Sequence, residues 1–186
     1  HVELARVAAE FDGFYTSHIR DESDYSVGVV AAVDEVIQVA REARLPGIVT
    51  HIKVLGPRVW GRSAEIIQRI DAARAEGVEV FADQYPYEAS STSLTAALVP
   101  AWALEGGTAA LVRRLRHPEE RGRIRREMSE NLVRRAGPAN IQIRSHAAAP
   151  ALEGKRLDAI ARERAEEPVD TAIHLILQGG ASIVSF

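Results

Sequence analysis

Gly47-Ile48-Val49-Thr50-His51-Ile52-Lys53 decides the fold. Gly47 to Thr50 is a short run between two helical patterns, and it reads as a strand. It runs directly into His51 and Lys53, which sit two positions apart. Residues i and i+2 of a strand point to one face, so both side chains aim the same way.

Outward from this strand the pattern repeats. Upstream, Val29, Val30, Val33, Val36, Ile37 and Ala40 recur at helical spacing, while Asp34, Glu35, Arg41 and Glu42 face away. Leu45-Pro46-Gly47 closes that helix. Before it, Phe14 to Ser17 is a strand, preceded by a helix over Val2 to Glu10 that Gly13 ends by taking a left-handed conformation. Downstream, Ser63 is the expected N-cap of a helix burying Ile66, Ile67, Ile70 and Ala73. Gly77 ends it, and Val78 to Ala82 forms the next strand, leading into Asp83-Gln84-Tyr85-Pro86-Tyr87.

Short strands alternating with helices imply an α/β fold with a parallel sheet and right-handed crossovers. Each strand ends in polar residues, which suits part of a (β/α)8 TIM barrel with reactive groups at the C-terminal strand ends. No Gly-rich phosphate loop follows any strand, which counts against a nucleotide-binding doubly wound sheet. About three barrel strands are expected over residues 1–92, a partial catalytic barrel. From residue 93 onward the rhythm breaks into a mostly helical insertion, with helices over Thr108 to Arg135, Leu157 to Ala165 and Val169 to Leu177, and a strand over Asn140 to Arg144.

Composition narrows the function classes. Hydrophobic residues make up 46% and charged residues 26% of 186, a globular profile. The net charge of -3 gives no basic surface for nucleic acid. No apolar run reaches the length of a membrane span and no signal peptide is visible, so a cytoplasmic location is expected. The absence of cysteine excludes disulfides and thiolate chemistry within these residues. The sequence begins with His1 and stops in the strand-like run Ile183-Val184-Ser185-Phe186, so an internal fragment of a longer protein is expected.

Three successive strand ends carry paired polar groups: His18 and Arg20, His51 and Lys53, Tyr85 and Tyr87. Neutral imidazole is a good zinc donor, and strand ends hold it rigidly. Lysine and arginine receive carboxylates, and tyrosine hydroxyls donate to a polarised carbonyl or to a carboxylate.

Tyr15-Thr16-Ser17-His18-Ile19-Arg20-Asp21-Glu22, Thr50-His51-Ile52-Lys53 followed by Trp60-Gly61-Arg62, and Ala82-Asp83-Gln84-Tyr85-Pro86-Tyr87 with Ser90-Ser91-Thr92 resemble segments of the N-acyl-D-amino-acid deacylases, or D-aminoacylases, of the metal-dependent amidohydrolase superfamily. Leu152-Glu153-Gly154-Lys155 and Pro168-Val169-Asp170 are similar to that family's insertion. The resemblance implies zinc as cofactor, His18 and His51 as metal ligands, and Lys53, Tyr85 and Ser91 as contacts to the carboxylate end of a small-molecule N-acyl amino acid. It implies zinc-dependent hydrolysis of the amide bond to a carboxylate and a D-amino acid. It assigns no direct role to Arg20, Asp21 or Glu22; the two carboxylates are read as fixing Arg20 or capping the following helix.

Three parts of the family pattern are missing from these residues. There is no His-x-His, no cysteine ligand, and the general-base aspartate is expected beyond residue 186. The chain alone is therefore expected to be inactive, to bind zinc weakly, and either to be marginally stable or to oligomerise through exposed sheet edges. A related amidohydrolase, acting on N-acyl-D-glutamate, N-acyl-D-aspartate or a cyclic amide, is the near alternative. A non-catalytic module binding an acyl amino acid or a partner chain is the distant one. Of the other histidines, His174 is read as packed within a helix, His117 as a turn residue and His146 as part of a surface loop. The arginines from Arg113 to Arg135 alternate with glutamates and read as a solvated face.

Overall fold

The computed structural model describes residues 1–186, which divide into two compact units, His1–Pro86 and Tyr87–Phe186. The first unit contains α1 (Val2–Ala9), β1 (Tyr15–Ser17), α2 (Val29–Ala43), β2 (Gly47–Val49), α3 (Ser63–Ala75) and β3 (Val80–Ala82). Its strands form a parallel sheet in the order β1-β2-β3, with Ser17 opposite Val49 and Val49 opposite Ala82. This is an α/β unit with helical crossovers, as the alternating pattern requires.

Helix α2 anchors the unit. Val29, Val33, Val36 and Ile37 are buried along one side and pack with Ile19, Val49, Ile66 and Val80. Burying a valine or isoleucine side chain is worth about 1.5–3 kcal/mol, so this one face outweighs any surface ion pair in the unit. The helix stops at Arg44, whose φ of 56° gives the left-handed cap. At the end of α1 the left-handed residue is Asp12, at φ 54°, and not Gly13. Gly13 serves a different need: a Cβ there would sit 2.8 Å from the Ala8 carbonyl oxygen.

Two details of the first unit depart from the sequence reading. The cap of α3 is Arg62, with Ser63 already inside the helix and no side-chain cap bond. Ile67 is 57% exposed, so α3 presents its core face through Ile66 and Ala73 alone, with Ile70 half-buried against them.

The second unit contains β4 (Ser90–Ser93), α4 (Leu94–Leu98), α5 (Ala101–Leu104), α6 (Gly107–Arg116), α7 (Pro118–Arg134), β5 (Ile141–Ser145), α8 (Leu157–Arg164), α9 (Pro168–Leu177) and β6 (Ser182–Ser185). It is helical, yet it also holds an antiparallel sheet of order β4-β6-β5. The run ending in Phe186 is thus the central strand of that sheet, with Ile183 fully buried. Leu98, Leu115, Met128, Ile143, Ile160 and Ile173 fill the core around it.

The polar residues of this unit also correct the sequence reading. His146 is 1% exposed and not on a surface loop; its Nε2 lies 3.2 Å from the Leu175 carbonyl, while Nδ1 has no partner. His174 is only half-buried and pairs with Glu166 at 3.0 Å. The arginine face is not uniformly solvated. Arg135 is buried and donates from Nε to the Ala97 carbonyl, and Arg125 forms a two-pronged pair with Asp170 that joins α7 to α9. No helix is long and apolar enough to cross a membrane.

Candidate metal centre

The strands of the first unit end together and keep pairing just beyond their formal limits. Thr50 N–H donates to the Ser17 carbonyl at 2.9 Å, and Ile52 N–H to the Asp83 carbonyl at 2.8 Å. Ile19, 2% exposed, is drawn into the core beneath α2, which leaves its neighbour His18 facing solvent. His51 follows β2 with φ at 41°, a left-handed conformation for which histidine is one of the more tolerant side chains. The two imidazoles meet: His18 Nδ1 lies 2.8 Å from His51 Nε2, with the rings edge to face.

Behind His51 lies an ion pair. Lys53 Nζ contacts the Glu22 carboxylate closely and lies 3.0 Å from His51 Nδ1. Glu22 Oε1 is itself 3.3 Å from that nitrogen. The Glu22 side chain is 10% exposed and that of Lys53 18%, so both charges are largely withdrawn from water and depend on each other. Tyr85 completes the group, with its ring centroid 5.8 Å from Lys53 Nζ. Burial, and then the nearby charge of Glu22, push the Tyr85 phenol above its ordinary pKa. It therefore stays protonated and able to donate.

Two carboxylates organise the backbone around this cluster. Asp21 is 3% exposed and accepts N–H bonds from Ser23, Ser26 and Gly28 at 2.9, 2.6 and 3.0 Å. It shapes the loop that feeds α2. It does not hold Arg20, which pairs with Glu35 at 3.2 Å. Asp83 Oδ1 accepts the His51 N–H at 2.6 Å. Glu22 is placed through its own backbone, whose carbonyl accepts from Leu55 N–H at 2.8 Å.

The structure thus brings His18, His51, Lys53 and Tyr85 together at one end of the first unit. Ser91 lies in the second unit, on β4, with Arg144 Nη1 3.4 Å from its hydroxyl. The sequence reading did not give Glu22 and Asp83 their places beside His51. For Asp83 a signal existed, since it stands two positions before Tyr85 and so shares its face in an extended segment. For Glu22, in an irregular loop, no periodicity applied.

Similar proteins are found among deacylases. An N-acyl-D-glutamate deacylase of Alcaligenes xylosoxydans xylosoxydans is 50% identical over 91 residues, and a D-aminoacylase of the same organism is 39% identical over 93. These alignments cover 49% and 50% of this chain and 18% of each relative. Among solved structures, the N-acyl-D-glutamate deacylase of Bordetella bronchiseptica, in complex with zinc and a phosphonate inhibitor, aligns over 100% of this chain with a TM-score of 0.70 and 32% identity. A D-aminoacylase described as defining a novel subset of amidohydrolases aligns with a TM-score of 0.68 and 28% identity. The chain is similar to N-acyl-D-amino-acid deacylases over part of their length. It spans 30% of the length of these two solved deacylases. A third deacylase structure concerns the binuclear metal centre of a D-aminoacylase. No protein-family model matches the chain.

Proposed function

We propose that the chain is part of a zinc-dependent amidohydrolase that cleaves N-acyl-D-amino acids to a carboxylate and a D-amino acid. The observation that carries the reading is the approach of His18 Nδ1 to His51 Nε2, 2.8 Å apart at neighbouring strand ends. In this reading the first unit is a portion of a (β/α)8 barrel, and residues from about 93 onward are an insertion in its sequence. Two converging imidazole nitrogens suit zinc, which favours such donors. His18 and His51 would hold it. Bound zinc lowers the pKa of a water molecule and polarises a carbonyl.

The remaining residues act on the substrate. The Lys53 ammonium receives the substrate carboxylate, and the protonated Tyr85 hydroxyl donates to it. A cleft of about 290 Å³ beside Lys53, lined by Ile52, Val54, Trp60, Ile66 and Gln84, takes an apolar part of the substrate. A structural or catalytic zinc site needs at least three protein ligands, and these residues contribute two. The third ligand and the general base are expected from outside residues 1–186.

Three measurements test this on the purified chain: zinc binding by equilibrium dialysis, hydrolysis of N-acetyl-D-glutamate and N-acetyl-D-leucine with added zinc, and solution mass. Weak zinc binding lost in both His18→Ala and His51→Ala, without appreciable turnover, is expected. Equal zinc binding in wild type and both variants would remove the metal-site reading. A monodisperse, active monomer would show that these residues form a complete enzyme.

A further inference from the structure

We infer that Glu22 is a positioning residue that fixes the tautomer of His51, so that the Nε2 lone pair faces His18. The inference rests on the reading of His18 and His51 as metal ligands and deepens it. A neutral imidazole carries one N–H and one lone pair, and what one nitrogen does dictates what the other can do. The two ring nitrogens of His51 face different groups. Nε2 meets His18 Nδ1 at 2.8 Å, while Nδ1 meets Glu22 Oε1 at 3.3 Å and Lys53 Nζ at 3.0 Å.

These two neighbours of Nδ1 demand opposite tautomers. Donation from the Lys53 ammonium to Nδ1 would leave the proton on Nε2 and turn an N–H toward His18. Acceptance by Glu22 of an Nδ1–H leaves Nε2 free to take a cation, or a proton from His18. The carboxylate has the advantage. It is 10% exposed, is only an acceptor, and gains from every donor it meets. Lys53 loses nothing by yielding, because its ammonium is already engaged by Glu22 and lies 3.4 Å from the His51 carbonyl. A metal-bound histidine that donates its other N–H to a carboxylate is held in orientation and made more basic. Glu22 itself faces the ring nitrogen directed away from His18, which is the place of an orienting group and not of a third ligand.

The test needs no metal in its first part. Long-range proton–nitrogen correlation spectra of the metal-free, nitrogen-15-labelled chain at about pH 8, where an ordinary imidazole is neutral, report which nitrogen of His51 carries the proton. The Nδ1–H form is expected in the unsubstituted chain and the Nε2–H form in Glu22→Ala, where Lys53 is the remaining neighbour. The Nε2–H form in the unsubstituted chain, or an unchanged tautomer in Glu22→Ala, would overturn the inference. In the second part, zinc affinity should fall about 10–100-fold in Glu22→Ala. Glu22→Gln, which keeps a carbonyl acceptor and guards against misfolding of the alanine variant, should recover part of that loss. Equal affinity in all three proteins would again overturn it. Failure of the unsubstituted chain to bind zinc would tell against His18 and His51 as ligands, and the tautomer spectra would then decide the role of Glu22 alone.

Discussion

Asp83 accepts the backbone N–H of His51 across the β2–β3 boundary, at 2.6 Å, and His51 holds φ at 41°. A carboxylate on the neighbouring strand end thus ties down the one backbone amide that must adopt a left-handed conformation for the imidazole to reach His18. Removing the acceptor frees that amide to relax. Asp83→Ala should lower stability by about 1 kcal/mol, the net worth of one exposed hydrogen bond, and should weaken zinc binding more than Asp83→Asn does. Urea unfolding and zinc titration of the two variants check this. Equal zinc affinity in both would limit Asp83 to a stabilising role.

Asp21 gives a pH-dependent prediction. Burial alone would raise its pKa, but N–H bonds from Ser26, Ser23, Gly28 and Tyr25 prevail and hold it below the ordinary aspartate value. A carboxylate whose folded pKa is depressed adds stability above its unfolded pKa, and loses that contribution as pH falls through the folded value. The stability gap between wild type and Asp21→Asn should therefore be constant at neutral pH and shrink below about pH 4. Denaturant melts from pH 7 to pH 3 measure it. A gap that widens on acidification would contradict the sign.

Lys53→Ala separates substrate contact from metal contact. In the proposed reading Lys53 receives the substrate carboxylate, and it is also a competing donor to His51 Nδ1 at 3.0 Å. Its removal should leave zinc affinity within about threefold, since no metal donor is lost, while lowering the affinity for an N-acetyl-D-amino acid by about tenfold or more. Isothermal titration with each ligand provides the comparison. A fall in zinc affinity as large as that of His51→Ala would make Lys53 part of the metal support.

In the second unit, Arg125 donates from Nε and Nη2 to Asp170 Oδ2 at 3.0 and 2.8 Å, although its side chain is 41% exposed. A double-mutant cycle with Arg125→Ala and Asp170→Ala should give a coupling of about 0.5–1 kcal/mol, the range of partly exposed ion pairs with good geometry. It should diminish in 1 M salt. A coupling indistinguishable from zero would return Arg125 to the solvated face that the charge pattern suggested.

The fold of the first unit was legible because periodicity carries it. The heptad-like spacing from Val29 to Ala40 has one satisfactory burial, and the short strands 15–17 and 47–49 follow from the breaks around it. The two histidines were legible as residues following neighbouring strand ends, but the direction of His51 was not, since it lies beyond β2 with φ at 41° and strand alternation does not reach it. Glu22 was not, since a loop carboxylate four residues beyond His18 has no fixed direction until Leu55 ties its backbone. His146 was misjudged for a related reason. A Ser-His-Ala run looks like loop, and only the packing of α9 reveals that Leu175 accepts from it. The antiparallel sheet was hidden because Ser90–Ser93 is too polar to announce a strand, and its partner lies in residues 182–185, far along the chain.

The left-handed backbone of His51 also limits which replacements this position accepts. Asparagine and aspartate enter that region readily, whereas a thiolate or a longer carboxylate carries a conformational cost of about 1 kcal/mol before it meets any cation. On the proposed reading of the pair as metal donors, a change to a cysteine or glutamate donor meets less backbone resistance at His18, which lies outside the left-handed region.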